Sequence, residues 1–181
     1  MNINAIVQFE CFETSVPLDE FVSSWKYYAR RFVGKNADVT LQQCGTKNRF
    51  KYVSQHESAE DNFRFAFMKG RYSPNFPECN VRVVQAGGYT ISQRECMHDN
   101  DPDDVKIMVF IKHEKEMLSY QQAPSYRYLN IYQSYFESCL FAGVLEFYVE
   151  KIHANDFIKW IHSFLKDTEG GIYNECLVLH E

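Results

Sequence analysis

The chain has 181 residues and a formal charge of −5, so no basic stripe is available to neutralise phosphates and a nucleic-acid partner is excluded on charge. Hydrophobic residues make up 45%, with 15 Phe and 12 Tyr to fill a core or line a cavity, while the longest apolar run, Cys139–Val144, is too short to span a bilayer. The six cysteines are evenly scattered with no Cys-x-x-Cys pair and no signal peptide ahead of them, so six free thiols in a reducing cytoplasm are expected and a structural zinc is not.

In chain order, Val7, Phe9 and Cys11 alternate with Gln8 and Glu10, the pattern of a half-buried strand over Asn4–Phe12. Thr14 or Ser15 before Pro17 suits a helix start. Leu18, Phe21, Val22, Trp25, Tyr28, Ala29 and Phe32 then share one helical face, which makes Trp25 a core residue, and Gly34 stops the helix. Ala37–Cys44 reads as a second strand and Arg49–Gln55 as a third, with Phe50 and Tyr52 among strong β-formers. His56–Asp61 reads as the start of a second helix, with Ser58 as its cap, Phe63, Ala66 and Phe67 at helical spacing and Gly70 as its stop. Val81–Ile91 closes the set as a strand, where Gly87-Gly88 permits a bulge or a close approach. Strand, helix, strand, strand, helix, strand is the ferredoxin-like order.

Met97–Asp104 is acidic and broken by Pro102, a linker between a first unit, 1–96, and a second, 105–181. Its four aspartates lack the glycine turn and terminal glutamate of a calcium loop, and His98 with His113 lacks a third metal ligand. Beyond it come a strand over Val105–Lys112, a short helix over His113–Gln121, and an aromatic strand over Tyr126–Gln133. An alternating strand around Leu145, Phe147 and Val149, a helix over Asn155–Lys166 and a last strand, Ile172–Leu179, complete the chain. Trp160 falls off the apolar face of its helix and suits an interface. Val144–Lys166 echoes Val7–Ala29, with Phe147 opposite Phe9, so the second half reads as a permuted ferredoxin-like unit; the alternative is one irregular antiparallel sheet with two main helices. The fold class expected is α+β, two fused ferredoxin-like repeats whose sheets cover one another.

Residues 49–91 also carry a family resemblance. Phe50 and Tyr52, the run Glu57-Ser58-Ala59-Glu60, then Phe63, Gly88 and Tyr89 resemble antibiotic biosynthesis monooxygenase-type domains, with His56 where that family has tryptophan. The resemblance implies small ferredoxin-like domains that assemble into dimeric α/β barrels. Its anthrone-oxidising members act on planar aromatics without metal or flavin. It therefore implies a cofactor-independent monooxygenase acting on a hydrophobic aromatic or polyketide-like molecule, with His56, Tyr52 and Tyr89 as the catalytic candidates. The alternatives are a non-catalytic small-molecule-binding or stress-response module for the protein, and a surface or helix-capping role beside Glu57 for His56. Other relatives of the fold degrade haem with an axial histidine on the second helix; Ser58–Gly70 holds none, so no haem and no other cofactor is expected. The expected partner is a small hydrophobic molecule, with the chain a monomer or homodimer.

Overall fold

The computed structural model describes residues 5–29, 39–68, 80–96, 101–165 and 168–179. In the first half β1 (Ala5–Thr14), α1 (Leu18–Ala29), β2 (Val39–Cys44), β3 (Tyr52–Ala59), α2 (Glu60–Met68) and β4 (Val81–Gln93) follow in the expected order. The second half runs β5 (Asp104–Ile111), a 3-10 helix (Glu114–Gln122), β6 (Tyr128–Ser134), β7 (Gly143–Glu150), α3 (Ala154–Phe164) and β8 (Glu169–Leu179). Phe32, Gly34, Gly70, Cys79 and His98 lie outside the described residues.

The eight described strands close one antiparallel barrel in the order β1-β3-β2-β8-β5-β7-β6-β4, sealed between the halves by β2 with β8 and β4 with β6. Closure removes every sheet edge and answers the need of each bare sheet face for a cover. The lumen is filled from all around the barrel by Phe9, Val53, Tyr89, Met108, Phe110, Tyr132, Val144 and Tyr173. Their rings meet mostly edge to face, as for Phe9 against Tyr89 at 5.5 Å and against Tyr132 at 5.1 Å. Outside the barrel, α1 and α3 each cover an apolar layer. Under α1, Phe21, Trp25 and Ala29 pack on Phe12, Leu41 and Tyr52, and under α3, Phe157, Ile161 and Leu165 pack on Ile107, Val109, Leu145 and Phe147.

Three expectations are corrected. The second half is not permuted: its strand order, β8-β5-β7-β6, repeats β4-β1-β3-β2 element for element, so β5 rather than β7 is the counterpart of β1. Both halves contain two strand–helix units of similar pattern, which is why β7 with α3 imitates β1 with α1 in sequence. Residues 56–59 form no helix start. They extend β3, because β1 holds them in register, His56 opposite Gln8 and Ser58 opposite Ile6, and Ser58 Oγ makes no capping hydrogen bond. Finally, β1 is buried on both faces, since one meets the lumen and the other meets the helices. Trp160 is half-buried in its own chain, against Phe157 at 5.3 Å and Phe147 at 6.3 Å.

Candidate functional site

The helix-facing side of β1 and β3 carries four buried polar side chains, Gln8, Glu10, Ser54 and His56, where apolar residues would be ordinary. Register pairs them: Gln8 stands opposite His56 and Glu10 opposite Ser54. Directly opposed side chains on neighbouring strands are in reach of one another, so the four form one patch. Gln8 Nε2 donates to Glu10 Oε1 at 2.8 Å, and the Tyr28 hydroxyl, brought down from α1, donates to the same oxygen at 2.9 Å. Gln8 Oε1 and Ser54 Oγ are buried without a hydrogen-bond partner.

No cation among the described residues pairs with Glu10, so burial dominates and lifts its carboxyl from 4.5 to about 7, against the two hydrogen bonds that favour the charged form. Burial acts in the other direction on His56, lowering its imidazole from 6.5 to about 4. At neutral pH the patch therefore holds a neutral imidazole beside a carboxyl poised between its two states. A carboxyl so poised is suited to take and return a proton.

On the other side of β1, Gly88 and Ala86 of β4 stand opposite Gln8 and Glu10. A Cβ at Gly88 would lie 2.2 Å from Phe63 Cζ, so glycine is required for α2 to seat Phe63 on the sheet. This is the close approach expected of the glycine pair. Beside it a cleft of about 80 Å³ is lined by Gln8, Phe63, Gly87, Gly88, Phe136 and Cys139, so Gln8 is the patch residue that borders it.

The three sequence candidates separate. Tyr52 and His56 share the helix-facing side of β3, with Ser54 between them. Tyr52 stacks on Phe21 at 4.2 Å and donates its hydroxyl to the Val16 carbonyl at 2.9 Å; burial raises the phenol above its usual range. Tyr89 points into the lumen on the opposite side of the sheet, where it donates to the Phe141 carbonyl at 3.4 Å and burial pushes its phenol up strongly. The residues that sequence reasoning passed over are Gln8 and Glu10, placed by their period-two pattern on a solvent side. A signal was present: Tyr28 sits on the apolar face of α1 and a buried phenol needs a polar partner beneath it.

Fold and patch define an α+β protein of the dimeric α/β-barrel type, two ferredoxin-like halves fused in one chain, with a buried carboxyl under the first helix. Solved structures agree on the fold. A mutant chlorite dismutase from Candidatus Nitrospira defluvii superposes with a TM-score of 0.58 at 11% identity, over 96% of this chain and 93% of that one. Another mutant of that enzyme, in complex with cyanide, gives 0.55 at 12% identity over 96% and 92%. A Fusobacterium nucleatum protein described provisionally as a monooxygenase covers 100% of this chain and 96% of its own at 10% identity, with a TM-score of 0.48, too slight a likeness to build on. No protein-family model and no curated protein matches the sequence. No described helix is long and apolar enough to cross a membrane, and no three His, Cys, Asp or Glu side chains among the described residues could hold a metal.

Proposed function

We propose that this chain is a cofactor-independent, monooxygenase-like protein of the kind the antibiotic biosynthesis resemblance implies, acting on a hydrophobic aromatic or polyketide-like molecule with an acidic methylene. The supporting observation is the buried carboxyl of Glu10, held by Gln8 and Tyr28, paired with no cation among the described residues and close to neutral in its titration. Glu10 takes a proton from the methylene and leaves a carbanion, which dioxygen oxidises. One oxygen atom stays on carbon as a ketone and the other leaves as water with the two hydrogens lost from carbon, so no further reductant is needed. His56, neutral at pH 7, is a weaker proton acceptor than Glu10 and stands opposite Gln8, the patch residue that lines the cleft. Tyr89 stands behind the sheet and supports it from the lumen.

A second reading, a non-catalytic binding module, is favoured by the size of the cleft. About 80 Å³ is well below the several hundred typical of small-molecule sites, so a planar aromatic does not fit the cleft as it stands. One experiment separates the two: dioxygen uptake and thermal shift with anthrone as probe, on the native chain and Glu10→Gln. Uptake that disappears in Glu10→Gln while the shift remains supports the enzyme. A shift without uptake supports the binding module, and neither shift nor uptake overturns both.

A further inference from the structure

A second polar site, with none of the Glu10 patch among its lining residues, lies where the turn at Asp101–Asp103 enters β5. A cleft of about 390 Å³ is lined there by Glu95, Asp101, Asp104, Arg127, Tyr128 and Tyr148. A neighbouring cleft of about 430 Å³ shares Asp101 and Asp104 and adds Lys106, Asn174 and Glu175. Among the described lining residues, both have an excess of carboxylates over cations.

The local charge is unbalanced in a specific way. Among the described residues, Arg127 is shared by Asp101, Asp104 (Nε to Oδ1, 3.4 Å) and Glu150 (3.0 Å). Lys151, which also acts on Asp101, donates its ammonium to the Pro102 carbonyl. Glu95 is occupied by the Gln93 amide at 2.7 Å and the Leu129 amide at 2.8 Å. Asp104 is left short. Its side chain is only 6% exposed, and its Oδ1 accepts no hydrogen bond, Arg127 being near enough for attraction but not for donation. Burial and the neighbouring Asp101, Glu150 and Asp103 hold its carboxyl above the usual range in spite of Arg127. A buried carboxylate oxygen without a donor is costly, and a donor carrying positive charge relieves it best.

The walls add a preference for an organic cation. Tyr128 and Tyr148 are directly opposed on β6 and β7, their rings 6.5 Å apart at 73°. The Tyr148 hydroxyl donates to buried Glu146 at 2.8 Å, which makes its ring richer in electrons, and the ring already takes the Lys106 ammonium at 5.7 Å. Aromatic faces attract an ammonium through the ring quadrupole and offer apolar surface to its hydrocarbon chain. A metal ion would find no group of three ligands among the described residues.

We propose that this cleft binds a protonated primary alkylamine, whose ammonium donates to Asp104 and whose chain lies along Tyr128 and Tyr148. A rotation of the Asp104 carboxylate brings Oδ1 to the ammonium. The site lies apart from the Glu10 patch, so the two readings fail or stand separately. The test is calorimetric titration with n-butylamine at pH 7 and constant ionic strength, with tetramethylammonium and sodium chloride as controls. Saturable binding of butylamine is expected, with tetramethylammonium weaker because it has no N–H. Tyr128→Leu, at a ring 44% exposed and so safe for folding, should weaken binding about two- to fivefold, and Asp104→Asn about tenfold or more. No saturable binding, equal binding of tetramethylammonium, or no change in Tyr128→Leu overturns the proposal. Should Asp104→Asn fail to fold, the Tyr128→Leu and tetramethylammonium results decide it in the same way.

Discussion

Glu10 and His56 share one buried face and titrate in opposite senses, which makes the pH dependence of stability a direct probe of the patch. A carboxyl raised from 4.5 in the unfolded chain to about 7 in the folded one contributes fully below pH 4.5, and its contribution is lost as pH rises to 7. At about 1.4 kcal/mol per pH unit the loss is about 3 kcal/mol. An imidazole lowered from 6.5 to about 4 works the other way. The folded chain loses stability as pH falls from 6.5 to 4, again by about 3 kcal/mol. Between pH 4.5 and 6.5 the two nearly cancel in the native protein, and single substitutions uncover them. Relative to the native chain, Glu10→Gln should gain stability as pH rises, reaching about 3 kcal/mol above pH 7. His56→Gln should show the mirror image, its relative stability rising as pH falls towards 4, on top of a constant packing cost. Urea unfolding followed by tryptophan fluorescence from pH 4 to 8 measures both, since Trp25 is buried in the layer under α1. Difference curves flat to within about 0.5 kcal/mol would refute the burial of ionisable groups as the origin of the patch's behaviour.

Two further outcomes follow from packing and from the cysteines. Gly88→Ala places a methyl 2.2 Å from the Phe63 ring and should cost about 1–3 kcal/mol in urea unfolding. Combining it with Phe63→Ala should cost less than the sum of the two single changes, and strict additivity would count against the contact. No disulfide joins the five described cysteines, Cys11, Cys44, Cys96, Cys139 and Cys176, and Cys79 is expected to be a thiol as well. Titration of the denatured, unreduced protein should find six thiols, and four would reveal a disulfide.

Much of the fold was legible because it depends on short-range pattern. The helical spacing of Phe21, Trp25, Tyr28 and Ala29 marks α1, and that face is the one buried. Gly88 announced a close approach, and Phe63 makes it. Local pattern also misled where neighbours in space outweigh neighbours in sequence. The run Glu57-Ser58-Ala59-Glu60 has the composition of a helix start, yet pairing with β1 carries β3 through Ala59 before α2 begins. Alternation divides Gln8 and Glu10 from Val7, Phe9 and Cys11, but it cannot say that the polar side lies under a helix bearing Tyr28. Nor can it say that Tyr52 and Tyr89, both aromatic residues in strands, face opposite sides of the sheet. The sequence by itself determined the strands, the helices and their apolar faces, because propensity and periodicity act over a few residues. Barrel closure decided the rest: which face of each strand meets the lumen, which half repeats which, and that a carboxyl and an imidazole are held together out of water. Those outcomes rest on contacts between residues far apart in the chain, and no local pattern encodes them.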